Sequence, residues 1–426
     1  MKTKSVVSLF SAFLFCFGSA VAWADPPAQF PHKATFTTLI TLPRAIEGLT
    51  GDGVSNLYIG GSGMAPCPIW QINLHRAPSY KVVGNVQKDV TPPPTPPATN
   101  DCNFSGIAFD ALGNLYQADG TAGRIYAVKD PNTSNPPNAI LFAKGVPGTN
   151  GLAFDRDGNL WTGDGTTGQG RVWKITGPDA DCTPTSLKNC EEVFRIQPMR
   201  NGTALGGDIS SIPTANQPTQ GVGRSANTFP HTAAGGNPQD LVANGIVFNR
   251  QGDMFVIDTA RGALWKVEFD RRGNLKSPTG CDATFTDNTL CLSNIFFAHP
   301  VLEGGDGIAL DVAGNIWVDA NERNAVAVVT KDGRVTEIFR NPLNSNGLRN
   351  SADPSVGNNR ILEFPTSPFI TGNLFCTANS DGNRRDNFPR TDGEIDGGGT
   401  TAGKDLGKIS CLDQDLKIPG LRLPVD

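Results

Sequence analysis

The chain has 426 residues, with 36 Lys and Arg against 41 Asp and Glu and a formal net charge of −5. This mildly acidic balance, without any basic run, excludes the electrostatic footprint of a nucleic-acid binder. With 49 Gly, 32 Pro and almost no helical periodicity, the composition excludes a helical bundle and suits an all-β chain rich in turns.

Residues 1–24 read as an export signal. Lys2 and Lys4 give a positive start, an apolar run covers residues 6–22, and Ala22-Trp23-Ala24 is a small-x-small cleavage site. The run is short and rich in small residues for a spanning helix, and no second such run follows. The mature chain, 25–426, is therefore expected to be one soluble domain, secreted or periplasmic, with no membrane contact after cleavage. Cys16 leaves with the signal. Cys67, Cys102, Cys182, Cys190, Cys281, Cys291, Cys376 and Cys411 remain, an even set with no CxxC pair. In an oxidising compartment such a set reads as disulfides. Sequence alone fixes no connectivity; pairing between neighbours is expected, Cys67–Cys102, Cys182–Cys190, Cys281–Cys291 and Cys376–Cys411.

A short unit then recurs along the chain. Its turn and second strand read Ser55-Asn56-Leu57-Tyr58, Gly113-Asn114-Leu115-Tyr116 and Gly158-Asn159-Leu160-Trp161. They return as Gly252-Asp253-Met254-Phe255, Gly314-Asn315-Ile316-Trp317 and Gly372-Asn373-Leu374-Phe375. The preceding strand also repeats, as Gly106-Ile107-Ala108-Phe109-Asp110, Gly151-Leu152-Ala153-Phe154-Asp155, Gly245-Ile246-Val247-Phe248-Asn249 and Gly307-Ile308-Ala309-Leu310-Asp311. Apolar strand, tight turn, apolar strand is a hairpin signature. Six copies at blade-like intervals predict a six-bladed β-propeller. Cys411 lies in an apolar run suited to an outer strand of the last blade, and residues 34–42 are a candidate for its closing strand.

In a propeller blade the link from the second strand to the third shares one face with the link into the next blade. The long segments 92–102, 199–240, 341–360 and 384–405 are read as falling on these links. One face is thus predicted to carry the long loops, with 199–240 read either as an insertion that covers it or as a plain surface insertion. The residue before each inner strand lies at the mouth of the central channel on that face. In four blades it is an oxygen donor: Glu47, Asn150, Asn244 and Asp306, each followed by Gly. Two carboxylates and two amide oxygens make a site for one hard divalent cation. Ca²⁺ is the favoured ion, with Mg²⁺, Mn²⁺ and Zn²⁺ as alternatives. His299 and His231 are candidates for the surrounding pocket, and Arg384-Arg385-Asp386-Asn387 for an anionic group. Asp119, Asp164, Asp258 and Asp319, after the second strands, are read as acceptors for turn amides.

The order Glu47-Gly48, Asn150-Gly151, Asn244-Gly245, Asp306-Gly307, with Pro365-Thr366-Ser367-Pro368-Phe369 as a last inner strand, resembles the gluconolactonase/regucalcin (senescence marker protein) family and its relative diisopropyl fluorophosphatase. The resemblance runs over essentially the whole mature chain. It implies a six-bladed propeller with these four residues at the metal. It also implies a hydrolase that opens sugar lactones or related esters, with Asp306 beside the metal as general base or water-orienting residue. The chain departs from the family after the first motif, where Leu49-Thr50-Gly51 stands in place of a Pro and an apolar-Trp pair. No counterpart of the family's substrate-binding Arg is found. Two other readings stay open: a non-catalytic binding propeller similar to NHL-type modules, with a structural metal, and a lyase resembling the streptogramin lyases.

Overall fold

A computed structural model describes residues 30–425 apart from 32–33, 54, 75–77, 88–100, 134, 166, 198–242, 260, 284, 303, 342–360 and 381–406. Residues 1–24, read above as an export signal, most of the four long loops, His231 and the Arg384 segment lie outside the described residues.

The architecture is all-β, six blades in a ring. The first blade is built from Leu49–Gly51, Asn56–Gly60, Cys67–Asn73 and Ser79–Val86, innermost strand first. The second holds Phe104–Phe109, Leu115–Asp119, Arg124–Val128 and Ile140–Lys144, with Ala180–Asp181 added in parallel at its edge. Blade three is Thr149–Phe154, Leu160–Asp164, Arg171–Ile175 and Cys190–Arg195; blade four is Ala243–Phe248, Met254–Asp258, Ala263–Val267 and Ile295–Ala298. Blade five is Gly305–Leu310, Ile316–Ala320, Ala325–Val329 and Val335–Arg340. The last blade takes Pro365–Thr371, Leu374–Asn379 and Lys408–Leu412, and its outermost strand is the N-terminal Phe36–Thr41. Each innermost strand packs on that of the next blade, and Pro365–Thr371 meets Leu49–Gly51 to close the circle.

The repeated turn has a physical cause. In blade two, Asp110 Oδ1 accepts the backbone N–H groups of Leu112 and Asn114 at 2.9 and 2.8 Å. Its Oδ2 accepts the Asn114 side-chain amide at 2.8 Å and the Tyr116 hydroxyl at 3.2 Å. Asp155 repeats the pattern with Asn159 and the Trp161 indole, and Asp311 with Asn315 and the Trp317 indole. One carboxylate thus holds the turn, the next residue pair and the following aromatic. Blade four exchanges the partners: Asn249 accepts the turn N–H groups and donates to Asp253. The Gly within the turn has positive φ, +83° at Gly113 and +84° at Gly314, where a side chain would be strained.

In blades one to three the aromatic of the repeat then joins the next blade. Tyr58 packs edge-on against Phe109 of the next blade at 4.8 Å, Tyr116 against Phe154 at 4.9 Å, and Trp161 against Phe248 at 5.9 Å. Such pairs are worth about 0.5–1.5 kcal/mol beyond the area they bury. Trp161, Trp265 and Trp317 are all fully buried.

All four cysteine pairs are bonded as neighbours, Cys67–Cys102, Cys182–Cys190, Cys281–Cys291 and Cys376–Cys411. One expectation needs correction. Long segments are not confined to one face: residues 268–294 link the third and fourth strands of blade four, on the tight-turn face, and carry Cys281–Cys291. The segment holds a hairpin turn of its own, in which Asp270 accepts from Arg272 and Asn274. The C-terminal segment also crosses this face: Gly420 N–H donates to Gly372 O and Leu421 N–H to Leu310 O. Leu423 and Pro424 then line the axial channel.

Candidate functional site

The site is built by irregularities in the inner strands. Pairing slips between Phe104 and Ile107, Thr149 and Leu152, Ala243 and Ile246, Gly305 and Ile308, and Pro365 and Ser367. The residues inside these bulges are Ser105-Gly106, Asn150-Gly151, Asn244-Gly245, Asp306-Gly307 and Thr366. A bulge re-aims the side chain it carries. Glu47-Gly48 holds the corresponding place in blade one, just before Leu49–Gly51.

The Gly of each pair is required by close approach. A Cβ on Gly48 would run into the Ser105 carbonyl, on Gly106 into that of Asn150, and on Gly151 into that of Asn244. On Gly245 it would meet the Asp306 carbonyl, and on Gly307 that of Thr366. Gly48 N–H donates to Ser105 O at 3.1 Å, and Thr366 Oγ1 donates to Glu47 O at 2.9 Å across the last seam. Backbone contact therefore arranges Glu47, Ser105, Asn150, Asn244, Asp306 and Thr366 in one ring. Below it the channel wall is apolar, with Ile107, Leu152, Ile246, Ile308 and Pro368.

The structure brings Glu47, Asn150, Asn244 and Asp306 to equivalent places in this ring. Asn244 and Asp306 are buried, and Glu47 and Asn150 are half-buried. Asp306 Oδ2 accepts the Asn321 side-chain amide at 2.7 Å. Asn244 Nδ2 donates to Thr259 Oγ1 at 3.2 Å. The Asn150 amide lies over Gly165, where a Cβ would collide with it. The two remaining ring positions turn to backbone: the Ser105 hydroxyl donates to Thr149 O at 2.9 Å, and that of Thr366 to Glu47 O. Ser105 could have been found from its Gly106. Thr366 lacks that signal because Ser367 follows it.

The donor set is chemically suited to a hard cation, since two carboxylates and two amide oxygens are available and no thiolate or imidazole stands in the ring. Among the described residues, no group of three or more His, Cys, Asp or Glu side chains gathers for a metal, and the ring itself brings only the two carboxylates Glu47 and Asp306. His299 stacks on Phe297, and its Nδ1 accepts the Val301 N–H at 3.1 Å. Burial, and after it the charge of Arg323, hold the imidazole below its ordinary value.

Asp119, Asp164 and Asp258 accept turn amides as expected, from Ala122, Thr167 and Arg261. Asp258 also pairs with the fully buried Arg261 at 2.8 Å. Asp319 does not. It points into the seam between blades five and six, where Thr377 is its hydrogen-bond partner.

Comparison with known proteins was made on this framework. Residues 236–347 match the family model described as SMP-30/Gluconolactonase/LRE-like region. The SMP-30/gluconolactonase-like segment contains blades four and five entire, and with them Asn244 and Asp306. The resemblance read from the sequence is borne out there. A search of curated proteins finds no match. Among solved structures, a luciferin-regenerating enzyme is 13% identical, with a TM-score of 0.50, over 91% of this chain and 98% of its own. A regucalcin from Agrobacterium tumefaciens, a calcium-binding protein, is 15% identical (TM-score 0.49; 93% and 98% covered). A putative gluconolactonase is 12% identical (TM-score 0.47; 92% and 96% covered). At such identities the likeness concerns the fold.

Proposed function

We propose that the chain is an exported, divalent-metal-dependent hydrolase that opens lactones or related cyclic esters. The carrying observation is the ring in which Glu47 and the bulged Asn150, Asn244 and Asp306 hold corresponding places at one end of an apolar channel. We assign Glu47, Asn150, Asn244 and Asp306 to the metal, with Ca²⁺ the best suited ion for this oxygen set. Once bound, such an ion supplies Lewis-acid polarisation of an ester carbonyl and acidifies water. Asp306 takes the proton of the attacking water, its carboxylate held in place by Asn321. The amides of Asn150 and Asn244 contribute oxygen without charge. The apolar walls of Ile107, Leu152, Ile246 and Ile308 keep bulk water from the base of the site. The match of residues 236–347, which contain Asn244 and Asp306, to the SMP-30/Gluconolactonase/LRE-like region supports this class of chemistry. Four disulfides favour an oxidising compartment, secreted or periplasmic. The reading includes residues 25–426 acting as one unit on a small-molecule substrate.

The test is turnover of a panel of small lactones by the chelated protein with Ca²⁺, Mg²⁺, Mn²⁺ or Zn²⁺ restored. Metal should restore activity, and Asp306→Asn should lower it at least about 100-fold with the fold retained. The product should carry the mass of one added water. A product of unchanged mass would indicate elimination instead. Folded protein without turnover on any substrate would leave a binding propeller as the better reading.

A further inference from the structure

We propose that Thr259 and Asn321 are positioning residues, a second tier that decides which atoms Asn244 and Asp306 present to a ligand. The inference rests on the metal reading above and deepens it.

The argument is one of counting hydrogens. Thr259 Oγ1 lies 2.6 Å from Gly305 O and 3.2 Å from Asn244 Nδ2. A carbonyl can only accept, so the single hydroxyl hydrogen of Thr259 goes to Gly305. The Thr259 oxygen is then an acceptor, and the group it accepts from is the amide NH₂ of Asn244. That fixes the amide orientation. Asn244 Nδ2 is turned to the protein, and Oδ1 is the atom left for a cation. With the opposite flip, two oxygens would face each other and the ring would show N–H to the ion.

Asn321 does the equivalent for Asp306. Its Nδ2 donates to Asp306 Oδ2, which fixes the carboxylate plane. Asn321 is itself anchored, because its backbone N–H donates to Gly304 O and its carbonyl accepts from Asn324 N–H. Its side chain is only 4% exposed, and its Oδ1 has no hydrogen-bond partner among the described residues. A buried acceptor of this kind beside Asp306 suits the hydrogen of a water or ligand hydroxyl arriving with the ion.

The tier belongs to blades four and five. Sheet register makes Gly120, Gly165, Thr259 and Asn321 equivalent, each directly following the residue opposite the start of the bulge. In blades two and three this place has no side chain.

Calcium binding to the purified chain, followed by calorimetry after chelation, is the test. Thr259→Val removes the hydroxyl at constant shape and should weaken Ca²⁺ at least about 10-fold, the usual cost of losing a partner behind a ligand. Thr259→Ser keeps the hydroxyl and should restore most of the affinity, a rescue that a merely space-filling role would not give. Asn321→Leu should weaken Ca²⁺ by a similar factor, and circular dichroism should show each variant folded. Wild-type protein that binds none of Ca²⁺, Mg²⁺, Mn²⁺ and Zn²⁺ would overturn the metal reading and this inference with it. Wild-type binding with unchanged affinity in Thr259→Val and Asn321→Leu would overturn the inference alone, as would a Ser variant as weak as Val.

Discussion

Asp319 stands one position out of step with the carboxylates it resembles in sequence. Asp119, Asp164 and Asp258 each lie six residues after the turn glycine of their repeat, whereas Asp319 lies five after Gly314. Strand side chains alternate, so that single step sends it to the opposite face. Counting from the glycine would have revealed this; reading only the end of the strand did not. Fully buried, its carboxyl is pushed well above the usual range by desolvation, against the hydrogen bond from Thr377. The Thr377 hydroxyl also reaches Ala378 O at 3.0 Å. A protonated Asp319 can therefore donate to Thr377 while Thr377 donates to the carbonyl. The folded chain holds this proton at pH values where the unfolded chain, with a carboxyl near 3.9, has released it. Its contribution to stability is full below about pH 4 and is lost as pH rises through the folded value. Asp319→Asn keeps a donor for Thr377 and cannot ionise. It should raise Tm by roughly 2 °C or more at pH 7 and flatten the fall between pH 4 and 8. Thermal unfolding across that range, wild type against variant, measures both.

At the scale of the element, the Asp-centred turn explains why the hairpins were legible. Asp, Asn and an aromatic recur at fixed spacing because one carboxylate binds the other two, and Gly recurs between them because the turn needs a positive φ there, so no tertiary information is needed to see it. The prediction follows from burial. Asp311 is 1% exposed and holds two turn N–H groups, the Asn315 amide and the Trp317 indole. Asp311→Ala should cost about 2–4 kcal/mol, since buried donors lose a charged acceptor. The same change at Asp270, whose turn is exposed, lets water replace the carboxylate and should cost under about 1 kcal/mol. Urea unfolding of the two variants makes the comparison. The bulges were less legible. Donor-Gly pairs marked four of the ring positions, and Ser105-Gly106 carried the same signal unread, yet only sheet register shows that a slip in pairing turns the donor inward. The second tier, Thr259 and Asn321, depends on the same register and had no motif of its own.

For the whole molecule, the ring count followed from the six repeats, and its closure from the two apolar runs near the chain ends. The last blade pairs Phe36–Thr41 with Lys408–Leu412, so ring integrity depends on strands far apart in the chain. Cys376–Cys411 ties the third strand of that blade to its second. Closing a loop of 35 residues corresponds to about 4 kcal/mol by chain entropy. Replacing both cysteines with Ala should lower stability by about 2–4 kcal/mol, and hydrogen exchange should rise first in Phe36–Thr41 and Lys408–Leu412. Replacing Cys281 and Cys291 with Ala should leave exchange in those two strands unchanged, because that bridge lies within one outer loop. The contact of each ring glycine with the next carbonyl has a consequence of its own. The aperture is gauged by main chain touching main chain, not by the side chains that project into it. The donors behave as interchangeable inserts in a socket of fixed bore: Glu, Ser, Asn, Asp or Thr can occupy a place and alter its charge while the bore stays the same. Chemistry at the mouth can thus be retuned one residue at a time without rebuilding the barrel that carries it.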